Sequence, residues 1–447
     1  MKRVLIIGAG PAGLSCAYKL RNSPFEVTIV DAESTVGGLS KTIFYKGYRF
    51  DIGGHRFHTR EKEVSDFWAE VFGGRFLRRQ RKSRIVFNDK MLDYPLKLQS
   101  LVRSLSPWML LRIFLSYAHA VLFNRKSVGS FQDWVVSRFG RKLFDLFFRD
   151  YTEKVWGIPC ERLSASWADE RIQNLSVWKA VCSVFMRMKN VRTLVDEFDY
   201  PPLGPGQFWD EVHGRIQDAG CRLLLGCAVV GIEKTSEEAW ACRFSDGTTS
   251  KFSAVVSTMP LERFVEILKP TVSSEALFAA RSLRHRSFVM VTLLYRDTPN
   301  PFPDNWIYVQ SPKYKLGRIQ NFRNWSPLMT PGEQDLSLGL EYFCDFGDQF
   351  WSLGDEELAE LAKSELHSLG LAPVCSPHDY HVVRSRYAYP VYECGYEKRL
   401  GLILSELRSH DRLYFAGRGG LYQYNNQDHA ILAGFQAARQ LISETGG

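Results

Sequence analysis

The spacing of apolar positions changes several times along the chain, and each change marks an element. "RVLII" (3–7) is a short continuous apolar run, the pattern of a buried strand. "GAGPAG" follows directly, then "LSCAYKLRN" with helical spacing, then a second strand-like run, "FEVTIVDA". Strand, glycine turn, helix and strand make a βαβ opening. From 96 to 190, Leu, Phe, Trp and Val recur every three or four residues, as in "FQDWVVSRFGRKLFDLFF", which predicts a mainly helical region. "YPPLGPGQ" near 200–207 punctuates the chain. A helix over "FWDEVHGRIQDAG" comes next, then short strands in "CRLLLGCAVVGIEK", "AWACRFSDGTTSKF" and "SAVVSTMP", with "SDGT" a turn between two of them. Residues 285–345 alternate like antiparallel strands, and 354–370 read as a helix. Near the end "LYFAG" stops at Gly417, and a polar stretch rich in Tyr and Asn separates it from the helical "AILAGFQAARQLI". No internal repeat or low-complexity segment interrupts this order.

Composition narrows the class. With 447 residues, 45% of them hydrophobic, 24% charged and a mean hydropathy of −0.20, the expectation is a soluble globular chain of two or three domains. A net charge of +8 suits an anionic ligand or a membrane surface, but it is too diffuse to argue for nucleic acid. The densest basic cluster, "RFLRRQRKSR" (75–84), reads as a solvated face. Nine scattered cysteines without metal-ligand spacing predict free thiols, no metal site and a reducing, cytoplasmic setting. The N-terminus carries no signal-peptide pattern. The longest apolar stretch, "LSPWMLLRIFLSYAHAVLF" (105–123), contains Arg112 and His119, which argues against a spanning segment. A buried helix is the expectation there; a helix resting on a bilayer, a peripheral contact, is the alternative.

One motif carries specific chemistry. Gly8, Gly10 and Gly13 form G-x-G-x-x-G between a strand and a helix. The first glycine allows the tight turn, the second lets a pyrophosphate approach the backbone, and the third lets helix and strand pack closely. The helix N-terminus then faces the phosphate charge. Asp31 ends the second strand, 18 residues after Gly13, where a carboxylate accepts hydrogen bonds from a ribose. This predicts a dinucleotide site without choosing between NAD and FAD.

A resemblance makes that choice. "DAESTVGGLSKTIFYKGYRFDIGGHRFH", "STMP" (257–260) and the closing "FAGR" resemble the FAD-binding segments of glutathione-reductase-like flavoproteins, among them amine oxidases, protoporphyrinogen oxidases and UDP-galactopyranose mutases. "DIGGHRF" (51–57), residues 130–172 with "YTEKVW" and "WADER", and "GRGGLYQYNNQDH" resemble the mutases in particular. The resemblance implies an α/β fold: a discontinuous Rossmann-type FAD-binding domain (1–95, 205–265 and 395–447), a helical insertion (96–204) and an antiparallel-sheet substrate domain (266–394). It implies FAD held by Gly8, Gly10, Gly13, Asp31, Gly37, Gly38, Gly54, Gly417, Arg418, Asn426 and Gln427, with His55 against the flavin. It gives catalytic roles to His55, Arg318, Tyr389, Arg418 and Tyr424. Substrate contacts fall to Tyr94, Trp167, Arg318, Tyr389 and Tyr424, with Arg318 clamping a nucleotide diphosphate. For Asp428 and His429 the alternative is helix N-terminal capping and charge compensation, which for Asp428 reads equally well.

The implied activity is a redox-neutral change of ring size, pyranose to furanose, in a nucleotide-activated sugar. It would be run by reduced FAD with an external reductant such as NAD(P)H. An FAD oxidase or desaturase, another sugar-modifying activity and a non-catalytic FAD module remain open. Two departures from the mutase pattern stand out: the interval from Tyr424 to Asn426–Gln427 is two residues shorter, and Lys97 stands where a glutamine is expected. A second diphosphate arginine is sought among Arg171, Arg187 and Arg192. Neither the sugar nor the oligomeric state is legible.

Overall fold

The computed structural model describes residues 2–87, 90–94, 105–123, 129–167, 197–235 and 239–445. The opening reads as expected. β1 (Lys2–Ile7), the helix Pro11–Leu20 and β2 (Phe25–Val30) form a βαβ unit. β9 (Arg222–Leu224), β13 (Ala254–Ser257) and β20 (Leu413–Phe415) complete a parallel sheet in the order β20-β13-β1-β2-β9. β1 and β13 are buried on both faces, which is why they read as apolar runs. One face packs on the helix Gln427–Thr445. A Cβ on Gly434 of that helix would lie 2.1 Å from the Ala12 carbonyl oxygen, so only glycine permits the approach. β10 (Val229–Lys234), β11 (Trp240–Phe244), β12 (Thr249–Phe252) and β14 (Leu268–Lys269) form a second, four-stranded sheet, and "SDGT" turns between β11 and β12.

The third sheet has seven strands: β19 (Asp379–Pro390), β15 (His285–Tyr295), β18 (Leu336–Cys344), β17 (Leu316–Asn321), β16 (Trp306–Val309), β6 (Ser83–Phe87) and β7 (Lys90–Asp93). Every pairing is antiparallel except β16 with β6. β15 is buried almost throughout because both faces are covered. Val289, Val291 and Leu293 face the helix Asp355–Ser368, while Phe288, Met290 and Leu294 face the hairpin of β3 (Thr42–Tyr45) and β4 (Tyr48–Asp51). β6 and β7, placed by sequence with the dinucleotide-binding segments, hydrogen-bond into this sheet instead.

The chain leaves β7 into the helical region and returns at β8 (Glu197–Tyr200), which pairs with β5 (Leu77–Gln80). The helices described there are Pro107–Phe123, Phe131–Phe139, Arg141–Phe147 and Arg149–Trp156. Residues 168–196, with Arg171, Arg187 and Arg192, lie outside the described residues, as does Lys97. Contrary to the sequence expectation, Pro107–Phe123 is not buried. Only Ile113 and Ala120 are, and most of its large apolar side chains face solvent. We propose the three-part division of the chain as read from sequence, with 83–93 moved to the seven-stranded unit.

Candidate active site

Two backbone turns build the cradle at the carboxyl ends of β1 and β2. Gly8 has φ +105°, and Gly37 and Gly38 have φ +98° and +52°, conformations that favour glycine. Gly37 N donates to the Ala9 carbonyl at 2.8 Å, which locks one turn to the other. The three motif glycines serve different ends. A Cβ on Gly13 would lie 1.9 Å from the Gly8 carbonyl oxygen, whereas one on Gly10 would meet nothing nearer than the Gly38 Cα at 3.8 Å. The protein itself does not require Gly10 to be glycine; a group approaching the backbone there would. Asp31 accepts from Ala9 N at 2.6 Å and Glu33 N at 2.8 Å, and burial outweighs these bonds to raise its pKa. Gly417, with φ +75°, packs its Cα on Ala12 at the same end of the sheet.

Above the cradle, "DIGGHRF" runs from β4 onto the seven-stranded sheet. A Cβ on Gly53 would be 3.6 Å from Arg318 Nη2, and one on Gly54 would be 3.1 Å from Gln320 Nε2. His55 Nε2 lies 3.0 Å from the Ile52 carbonyl oxygen, so Nε2 carries the proton and Nδ1 is left as acceptor. Burial first, then the positive Arg418 and Arg318, push this imidazole down to about 4. It is neutral at pH 7.

The facing wall is the stretch 416–426. Arg418 donates from Nη1 to the Ala388 carbonyl at 2.6 Å and from Nη2 to the Asn425 carbonyl at 2.7 Å. Its guanidinium carbon lies 5.3 Å from the Tyr389 ring centroid and 5.0 Å from that of Tyr424. Those two rings stack at 5.4 Å and 15°. Trp156 meets both edge-on, at 6.4 and 6.0 Å. Trp167 packs on Trp156 at 5.3 Å, one layer behind the tyrosines. Gln427 opens the last helix; its Oε1 accepts from buried Trp209 Nε1 at 2.9 Å, and its Nε2 is buried without a partner. Asn426 is exposed, and Asp428 sits in the helix's first turn.

Strand register explains the floor. Tyr308 on β16, Arg318 on β17 and Glu341 on β18 stand opposite one another in one row. Arg318, read from sequence as a diphosphate clamp, is therefore also paired within the chain. It donates from Nε to Glu341 Oε2 at 2.6 Å and pairs through Nη2 at 2.5 Å, with Glu341 fully buried. Gln320 Nε2 holds the other Glu341 oxygen at 2.8 Å. Burial works against the charged Arg318, but the Glu341 carboxylate outweighs it and holds the guanidinium pKa above its ordinary value.

Two arginines missed by the sequence reading lie beside this row. Arg81 sits over Tyr94 at 5.1 Å and Trp306 at 5.5 Å, and Arg56 over Trp306 at 5.5 Å. The Nε and Nη1 of Arg81 are buried with no hydrogen-bond partner. Burial, then the charge of Arg81, lowers the pKa of Arg56. Among the described residues no carboxylate lies within ion-pair distance of either. Tyr94 and Tyr151 approach the Tyr308 ring edge-on at 5.1 and 5.9 Å. The "RFLRRQRKSR" run is thus not simply a solvated face. Arg78 points outward to Glu197 and Asp199, while Arg79 bonds the Trp325 carbonyl at 2.7 Å and Arg84 pairs with buried Asp304. Along β5 the burial alternates, Leu77 and Arg79 inward and Arg78 and Gln80 outward, which the residues Leu-Arg-Arg-Gln-Arg do not reveal by themselves.

The model of the flavin-containing amine oxidoreductases matches residues 11–442. The chain belongs to this family. The chain is similar to protoporphyrinogen oxidase 2 of Arabidopsis thaliana, 34% identical over 70 residues, a match covering 16% of this chain and 14% of that protein. Among solved structures, reduced UDP-galactopyranose mutase superposes with a TM-score of 0.86 at 20% identity, covering 100% of this chain and 95% of the other. A candidate protoporphyrinogen oxidase from Exiguobacterium sp. 255-15 gives 0.78 at 15% identity, with 99% of each chain covered. At these identities the structural likeness concerns the fold. The cofactor of this flavin-containing amine oxidoreductase family member is FAD. The cradle fits it: Gly10 leaves room for a group close to the backbone, Asp31 lies beside it at the end of β2, and the unpartnered Gln427 Nε2 is available as a donor.

Proposed function

We propose that the protein is an FAD-dependent mutase that interconverts the pyranose and furanose forms of a nucleotide-activated sugar. The observation that carries this reading is the cluster of Arg56, Arg81 and Arg318 around Tyr94, Tyr151 and Tyr308, beside His55 and Arg418. Arg56 and Arg81 lack carboxylate partners among the described residues, and Arg81 has two buried donors unmet. Such a site is built for a polyanion, and a nucleotide diphosphate fits it.

Reduced flavin would supply the electron pair that displaces the diphosphate from the anomeric carbon. The chain's own residues do the rest. Arg81 and Arg56, with the free donors of Arg318, hold the diphosphate through departure and return, which keeps the reaction effectively unimolecular. Tyr389 and Tyr424, stacked and backed by Trp156, present hydroxyls to the sugar. Neutral His55 offers Nδ1 as an acceptor, and Arg418 sets the position of both tyrosine rings. An external reductant such as NAD(P)H would prime the flavin.

The family match favours a second reading, an FAD oxidase or desaturase. In the amine-oxidase form of that reading the substrates would enter as cations against this concentration of arginine, which weighs against that form. Dithionite-reduced protein incubated with UDP-, TDP- and GDP-sugars tests the proposal. An isomer of unchanged mass, formed without net consumption of reductant, is the expected result. Oxygen uptake in proportion to a product two hydrogens lighter would establish the oxidase instead.

A further inference from the structure

We propose that the helix Pro107–Phe123 docks on an anionic lipid surface. The helix is well defined at its start, where Ser106 Oγ accepts from Met109 N at 3.2 Å. Its packed side is fixed as well. Gly140 lets the corner between two neighbouring helices approach so closely that a Cβ there would lie 2.6 Å from the Ser116 carbonyl oxygen, and Lys142 N donates to Ser116 Oγ at 3.1 Å. The opposite side carries Trp108, Leu111, Leu115, Leu122 and Phe123, all exposed; Trp108, Leu122 and Phe123 are 67%, 69% and 72% exposed. A helix this apolar on its solvent side is normally covered by something.

Charge identifies the cover. The helix has no acidic residue. Between 107 and 147 there are six Lys or Arg (Arg112, Arg125, Lys126, Arg138, Arg141, Lys142) against two Asp (Asp133, Asp145). That is a net of +4 from a chain whose total is +8. Arg112 stands on the exposed side of the helix, and a second copy would bring it against the same net positive segment and be repelled, whereas an anionic bilayer attracts it while the aromatic and aliphatic side chains enter the headgroup boundary. The helix rests on the bilayer without crossing it. Its 17 residues span roughly 25 Å, less than the ~30 Å hydrocarbon core, and Arg112 is on the exposed side. No described helix is long and apolar enough to cross a membrane.

The test uses the full, FAD-loaded chain in co-sedimentation with phosphatidylcholine vesicles, with and without about 30% phosphatidylglycerol. The parent should pellet with the anionic vesicles and lose binding as salt rises. The variant Leu111→Ser/Leu115→Ser/Leu122→Ser should bind at least about tenfold less while keeping its flavin content and Tm, because these side chains touch solvent. Arg112→Glu should weaken binding on its own. The proposal is overturned if the parent stays in the supernatant with both vesicles, or if the triple variant binds as well as the parent. It is also overturned if the triple variant loses Tm, which would show the face covered by the chain itself. A concentration-dependent dimer in sedimentation velocity that the triple variant abolishes, without vesicle binding, would assign the face to a second copy instead.

Discussion

Arg56 and Arg81 both approach the ring of Trp306, each with its guanidinium carbon 5.5 Å from the ring centroid. Two like charges placed so close, with buried donors unmet, cost stability in the free protein and gain it back when an anion binds. Arg81→Gln should therefore leave Tm unchanged or higher, yet weaken UDP, TDP or GDP binding by about 1.5–3 kcal/mol, the range for a charge-assisted bond. Titration calorimetry on the FAD-loaded protein decides it, and equal affinity in variant and parent removes Arg81 from the site.

Arg318 should behave in the opposite way. Removing it leaves Glu341 buried and unpaired, so Arg318→Ala should destabilise by about 3–5 kcal/mol, read from denaturant unfolding. Adding Glu341→Gln should recover part of the loss. If the double variant is no more stable than the single, the pair is not the reason for the effect.

The cradle glycines separate folding from loading. Gly10→Val should give a folded chain with native circular dichroism but no bound flavin, because a Cβ there meets nothing of the chain nearer than the Gly38 Cα at 3.8 Å and takes the room proposed for the pyrophosphate. Gly13→Val should fail to fold, since its Cβ would overlap the Gly8 carbonyl. Flavin retained in Gly10→Val would show that the pyrophosphate lies elsewhere.

Asp51 gives a pH signature. It is fully buried, accepts from Tyr200 Oη at 2.5 Å and Thr42 Oγ1 at 2.9 Å, and burial raises its pKa to about 7 despite both bonds. Unfolded, the same carboxyl titrates near 3.8. Between those values the folded chain holds more protons than the unfolded one, so this group's stabilising contribution is full below about 4 and is lost as pH rises to about 7. Asp51→Asn lacks that slope. The stability of the variant minus that of the parent should climb with pH across this window, by at most about 4 kcal/mol. A flat difference from pH 4 to 8 would contradict the assignment.

The flavin half of the site was readable in the sequence because its grammar is local: strand, glycine turn, helix and acid lie within Lys2–Asp31. The other half depends on strand pairing. Arg318 could be chosen from its neighbourhood, but that Glu341 stands opposite it follows only from the β17–β18 register. Arg81 was hidden in a run of basic residues, and its place beside Trp306 follows only from the pairing of β6, two residues further on, with β16. The Pro107–Phe123 helix was misjudged for a related reason. Hydrophobicity says that a face needs covering and does not say whether the same chain supplies the cover.

The order β20-β13-β1-β2-β9 also bears on how the protein is made. During synthesis β1 and β2 emerge early, but β13 arrives about 250 residues later and β20 later still. At ribosomal speeds of about 5–20 residues per second, one edge of an apolar two-stranded ribbon stays open for on the order of ten to fifty seconds. The nascent chain is therefore most prone to aggregate well before its cofactor site exists. Slower growth and chaperone supply should raise its soluble yield more than added riboflavin does.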